Sequence, residues 1–330
     1  MLVQWGAHLA HHTLYMAALT LPTPAARLRV DSAPLSAPLL TRERLDTLVG
    51  VVLALTGALY TLGLGRRWAR GADDRWALLG HAAAFAGGVV TLLAALLSPL
   101  DALTTRLFTA HIAQYLLLAD VAPPLLILGQ PGATLRAALP AARATRLGAW
   151  WEGRPGARIA GEFLTLPLVV AVLDVAPLLI WYQPRPFTAA LTSGSLHLVE
   201  QLSILAAALL FWWTARHPDA RPTLGHSRVL VSFFTASLAS AAFGLALFLA
   251  RTPWYPIYGD RAAPWNLTPL GDQQVGGIVL GVAPELLDLL AMLALLWGLI
   301  QAQERRATAR ARAERQARRQ ARRDVGRGEE

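Results

Sequence analysis

Seven apolar runs succeed one another along the chain, at roughly 45 to 64, 76 to 97, 107 to 128, 160 to 181, 195 to 214, 229 to 250 and 276 to 300. Each is long enough to cross a bilayer as an α-helix, which needs about 20 predominantly apolar residues. The pattern predicts an all-α fold, a polytopic membrane helix bundle with seven core transmembrane helices. The third run breaks its own pattern. Within AHIAQYLLLADVAPPLLILGQP it carries His111, Gln114, Tyr115 and Asp120, then a Pro123-Pro124 pair. Polar side chains are costly in hydrocarbon and so face a protein interior, a cavity or a ligand. The two prolines remove backbone donors and bend the helix.

Three parts follow from this pattern. Residues 1–44 hold a moderately apolar stretch, 1 to 21, and then a linker broken by Pro22, Pro24, Pro34 and Pro38. The stretch contains His8, His11 and His12, and its length allows an additional N-terminal helix, either across the membrane or along its surface. It has no basic region ahead of its apolar residues, so a cleavable signal peptide is not expected. Residues 45–300 form the bundle, and 301–330 an Arg-rich tail of high helix propensity.

Composition fits a membrane protein, with 55% hydrophobic and 15% charged residues. All 30 basic residues are arginine, and their placement sets the expected orientation, because cytoplasmic loops retain positive charge. Arg66, Arg67, Arg70 and Arg75 follow the first run; Arg136, Arg143, Arg146, Arg154 and Arg158 the third; Arg216, Arg221 and Arg228 the fifth; ten more lie in the tail. The opposite loops hold only Arg106, Arg185, Arg251 and Arg261. A multi-pass membrane protein with a cytoplasmic C-terminus is expected. Four arginines, Arg27, Arg29, Arg42 and Arg44, fall outside in this arrangement and run against it. The tail would meet anionic headgroups of the inner leaflet, each Arg near the surface contributing about 1 kcal/mol; nucleic acid is not an expected partner. With no cysteine, disulfides and thiolate metal sites are excluded.

In that orientation polar side chains from four runs collect in the outer half of the bundle. His111, Gln114 and Tyr115 share one helical face, and His197, Glu200 and Gln201 share another. Asp174 and Tyr182 come from the fourth run and its outer end, Asp272 and Gln273 from the start of the last. Two opposed faces with imidazole and carboxylate donors suit a metal, with His111, His197 and Glu200 as ligands. Two histidines on neighbouring helices also suit axial ligation of haem. A third reading is a polar clasp that holds the helices together without a ligand.

DVAP occurs at Asp120 to Pro123 and again at Asp174 to Pro177, and GVAP at Gly281 to Pro284. Acids beside such kinks, with Glu285 and Asp288, would serve a proton-coupled small-solute transporter. His81 lies away from the outer cluster and reads as structural, and His217 and His226 fall in a cytoplasmic connection. No nucleophile with its base and no nucleotide motif is present, so an enzyme is not expected.

The ordered motifs SPLD at Ser98 to Asp101, HIAQY with VAPPLLILGQP, WYQPRPFTAAL at Trp181 to Leu191, HLVEQ with LLFWW, and NLTPLGDQQVGG at Asn266 to Gly277 span most of the chain. In this order they resemble the polytopic CtaG family of cytochrome c oxidase assembly factors. That pattern has His-x-x-Gln-His in the third span, Trp-His after the fourth and His-x-x-Glu-His in the fifth. His111, Gln114, Trp181, His197 and Glu200 match it, whereas Tyr115, Tyr182 and Gln201 stand where it has histidine. The resemblance implies an assembly factor of the bacterial cytoplasmic membrane, a copper chaperone that helps a copper centre mature, with copper as the metal and a terminal oxidase subunit as partner.

Overall fold

The computed structural model describes residues 42–71, 75–153, 166–216 and 225–290, together with Leu293 and Glu304. The stretch 1 to 21, the proline-rich linker, His217 and most of the tail lie outside the described residues. Among the described residues every regular element is helical. Five helical stretches are long and apolar enough to cross a membrane: Leu45–Arg70, Arg75–Thr104, Phe108–Leu128, Gly194–Arg216 and Val231–Leu249. They correspond to the first, second, third, fifth and sixth apolar runs. The fourth run is represented by the shorter apolar helix Val169–Trp181. The seventh is described as a helix over 269–290, and its remainder lies outside the described residues.

The described residues begin with α1 (Arg42–Arg70) and α2 (Arg75–Leu96). At Ser98 it turns into a short α3 (Pro99–Thr104), for which the sequence supplies a complete start. The Ser98 hydroxyl accepts from the Leu100 amide at 3.1 Å, and Pro99 occupies the first helical turn, where its missing N–H costs nothing. Then α4 (Phe108–Leu116) runs through a five-residue π-helical segment, Leu117–Val121, into α5 (Ala122–Leu128). The bend expected from the proline pair thus takes the form of a π-bulge just ahead of it. Pro123 and Pro124 cannot donate to Ala119, which lies four and five residues earlier, and the Ala119 carbonyl accepts instead from the Trp212 indole N–H at 3.1 Å.

Beyond α5 come α6 (Pro131–Ala138) and α7 (Ala141–Glu152), then α8 (Pro167–Trp181), the short α9 (Pro184–Thr192), α10 (Gly194–Arg216) and α11 (Gly225–Leu249). His226 therefore sits in the first turn of α11 rather than in a connection. A 3-10 segment, Pro256–Trp265, precedes α12 over 269–290. Thr268 starts this last helix, its hydroxyl accepting from the Gly271 amide at 3.0 Å.

Apolar helices are held at close range by small residues, as is usual where lipid removes the hydrophobic drive between helices. A Cβ on Gly63 of α1 would lie 1.9 Å from the Thr134 carbonyl oxygen of α6, and one on Gly244 of α11 would lie 2.5 Å from that of Gly277 in α12. Phe108–Leu128 is the most buried of the five stretches and forms the centre, while Leu45–Arg70 is the least buried and forms the rim.

The two ends of the bundle are closed by different side chains. At one end the connections after the first and third runs meet: Arg66 donates to the Ala137 and Ala138 carbonyls, Arg67 to the Thr134 hydroxyl, and the Tyr60 hydroxyl to Gly129 O at 2.6 Å. At the arginine-poor end, Tyr258 donates to Thr104 O at 2.9 Å, Arg261 to Thr105 O at 2.9 Å, and Tyr255 to Tyr182 O at 2.6 Å. These bonds fold residues 250–268 over the end where the polar residues gather.

Candidate metal centre

Beneath that cover, His111 of α4 faces His197 and Glu200 of α10. Positions 197 and 200 are one helical turn apart, so both side chains leave the same face. Glu200 is the hinge of the cluster. Its Oε1 lies 3.0 Å from His111 Nε2 and its Oε2 3.0 Å from His197 Nδ1. One donor atom from each of the three residues can be chosen so that all lie within 4.8 Å of one another, and all three residues are buried. This is the candidate metal-ligand group among the described residues.

A second layer of polar groups surrounds it. Asp101, in the first turn of α3, is buried, and its Oδ1 accepts from Gln114 Nε2 at 2.9 Å and from Gln201 Nε2 at 3.1 Å. The same oxygen lies 3.3 Å from His197 Nε2. Gln114 also donates to Ala95 O at 2.7 Å, tying α4 to the end of α2. The expected supporting residues Gln114 and Gln201 therefore both bond Asp101, a residue that sequence reasoning did not select, and Gln201 also lies 3.0 Å from His197 Nε2. Its only signal was the SPLD motif, in which a serine cap and a proline fix the aspartate at the start of a helix.

Aromatic rings enclose the cluster on its remaining sides. The His111 ring centroid lies 4.8 Å from Phe187, 5.5 Å from His197 and 5.6 Å from Tyr182. Tyr182 also meets Tyr115 at 5.7 Å, so the two tyrosines adjoin each other beside His111. Phe108 stacks on Tyr255 at 4.7 Å, with Phe187 and Tyr258 against the same group. Burial pushes the hydroxyls of Tyr255 and Tyr258 above the usual phenol range, so both stay protonated and can donate the bonds that close residues 250–268 over the site. Two buried polar atoms here have no hydrogen-bond partner, His111 Nδ1 and the Tyr182 hydroxyl.

The other expected residues have different places. Asp272 does not reach the histidines: its carboxylate accepts from the Phe108 amide at 2.6 Å and the Thr109 amide at 3.1 Å. It supplies from α12 the cap that Leu107, at the start of α4, cannot make. Gln273 accepts from the Trp254 amide at 2.6 Å and donates to Leu247 O at 3.3 Å, fastening the end of α11 and the cover. Asp120 and Asp174 stand apart from the hydrogen bonds of the cluster, and the deeper acid Asp288 accepts from the Ser237 hydroxyl at 3.0 Å. His81 lies at the arginine-rich end, its carbonyl accepting from Tyr60 at 3.2 Å.

A profile of the cytochrome c oxidase caa3 assembly factor family (Caa3_CtaG) matches residues 58–302. The chain belongs to this family. Uncharacterized proteins of Mycobacterium bovis and Mycobacterium tuberculosis are each 26% identical to it over 291 residues, covering 84% of this chain and 42% of their own length. One of Mycobacterium leprae is 26% identical over 266 residues, or 77% of this chain and 38% of its own. The chain thus spans about two fifths of these curated relatives. No solved structure matches it. Within the caa3 assembly factors, the matched region contains the His111, His197 and Glu200 cluster, its Asp101 layer and the Asp272 cap.

Proposed function

We propose that the chain assists assembly of a haem-copper terminal oxidase by helping its copper centre to mature, with copper held as cargo by His111, His197 and Glu200. The observation that carries this reading is the convergence of three donor atoms within 4.8 Å in a buried, roofed position. The donor chemistry fits. Two imidazoles and a carboxylate suit copper and zinc, and the buried Tyr182 hydroxyl beside His111 has no hydrogen-bond partner among the described residues. A metal would take the place of the protons that both imidazoles share with Glu200. His111 and His197 would bind it, Glu200 would balance its charge, and Phe187 and Tyr182 would exclude water.

A terminal oxidase subunit is the partner in this reading and the role is non-enzymatic, both supported by family membership. The arginine-poor end, with the cluster, faces outward, and the C-terminus is cytoplasmic, supported by the loop arginines. Haem between the two histidines is disfavoured, because the Glu200 carboxylate bonds both imidazoles and leaves no slot for a macrocycle. The family favours assembly over proton-coupled transport.

The test is metal analysis of the protein purified from membranes after growth with copper, beside His111→Ala and His197→Ala. Copper in the parent and its loss from both variants is expected, together with reduced oxidase activity in a strain lacking the gene. Equal copper in parent and variants would refute the site, and normal oxidase in the deletion strain would refute an essential assembly role.

A further inference from the structure

The His111–Glu200–His197 chain leaves open which nitrogen of His197 a metal would meet, and the second layer answers it. We propose that Asp101 is a positioning residue: it holds the N–H at Nε2 of His197, so that Nδ1 is the nitrogen offered to the metal. This rests on the metal reading above and goes beyond it in assigning a tautomer and a residue that sets it.

The argument begins with what a carboxylate can do. It only accepts, so an imidazole nitrogen bonded to one must carry a proton. His197 Nε2 lies 3.3 Å from Asp101 Oδ1, while Nδ1 lies 3.0 Å from Glu200 Oε2. The two ring nitrogens therefore face two different carboxylates. Only the Glu200 side also presents His111 Nε2, at 3.0 Å from Oε1 of that carboxylate. A metal shared by the three ligands must sit on the Glu200 side, which requires Nδ1 to be bare and Nε2 to keep its proton. Asp101 meets that requirement, in the arrangement by which a carboxylate fixes the tautomer and ring orientation of a metal-binding histidine.

Asp101 is itself fixed. Ser98 and Pro99 set the start of α3, and Gln114 and Gln201 both donate to the same Oδ1. Gln201 Nε2 also lies 3.0 Å from His197 Nε2. An amide donor there would favour the opposite tautomer, with Nε2 bare, so Gln201 and Asp101 compete for His197. A charged acceptor wins over a neutral amide, because charge-assisted hydrogen bonds are roughly twice as strong. Gln201 then spends its amide protons on Asp101, supporting the position of the carboxylate.

The experiment uses the full chain in detergent with cupric ion as the probe. Asp101→Asn keeps an oxygen for Gln114, Gln201 and His197 but removes the charge. The expected result is cupric affinity weakened by about 10–100-fold, the usual cost of losing such a partner. Pulsed electron paramagnetic resonance should also show a changed quadrupole coupling for the remote nitrogen of His197, identified by its absence in His197→Ala. A packing role alone would leave that coupling unmoved. Unchanged affinity and coupling in Asp101→Asn, with copper still bound by the parent, would overturn the positioning role and leave the metal reading intact. A parent that binds no cupric ion would overturn both. Should Asp101→Asn not fold, nitrogen-15 spectra of histidine-labelled parent protein loaded with zinc decide the matter without it: a proton on His197 Nε2 with the metal at Nδ1 is expected, and a bare Nε2 would overturn the assignment.

Discussion

Asp272 offers the sharpest separation between holding the bundle together and holding a ligand. Its carboxylate reaches across from α12 to accept the amides of Phe108 and Thr109, and the Thr109 hydroxyl donates back to the Asp272 carbonyl at 3.0 Å. Asp272→Ala leaves two amides at the start of α4 without acceptors. Each unsatisfied buried donor costs about 1–3 kcal/mol, and loss of a helix cap about 1 kcal/mol in measured cases. Because these describe overlapping effects, a total of about 2–4 kcal/mol is expected. At about 2–4 °C per kcal/mol, the midpoint of thermal denaturation in detergent should fall on the order of 5–15 °C. Asp272→Asn keeps one acceptor and should fall between parent and Ala variant. The assay is the fraction of protein remaining monodisperse after heating, read with copper content per folded molecule. Copper content should hold, since Asp272 bonds no residue of the histidine cluster. A parental midpoint in Asp272→Ala would refute the capping role, and a parental midpoint with lost copper would move Asp272 into the site.

The same reasoning applies to the π-bulge. Trp212→Phe removes the donor to the Ala119 carbonyl that the two prolines cannot supply, at a cost of about 1–3 kcal/mol, and should lower the melting midpoint; a parental midpoint would refute the account. Orientation is accessible because the natural chain has no cysteine: Ala102→Cys and Ala263→Cys, both at exposed positions of the arginine-poor end, should react with an impermeant thiol reagent in intact cells, and Ala142→Cys only after permeabilisation. The reverse pattern would overturn the proposed orientation.

The sequence by itself determined that the described chain is helical and largely apolar, because runs of this length leave a bilayer-spanning helix as the only economical way to satisfy the backbone. It also singled out His111, His197 and Glu200, since polar groups are rare enough within such runs to stand out and helical spacing places 197 and 200 on one face. What it could not decide was which polar residues meet. Asp272 reads as one of several polar residues converging from the start of the last run, and Asp101 only as the end of the SPLD motif. Only the packing of α12 against α4 makes the first a cap, and only the turn at Ser98 makes the second a partner of His197. Likewise the proline pair announced a bend, but its form depends on Trp212, 93 residues away, reaching the carbonyl those prolines abandon. Local spacing fixes the face on which a side chain emerges. Which face it meets depends on how the helices cross, and in this chain that is set by glycine contacts, such as Gly244 against Gly277, and by hydrogen bonds between residues distant in sequence.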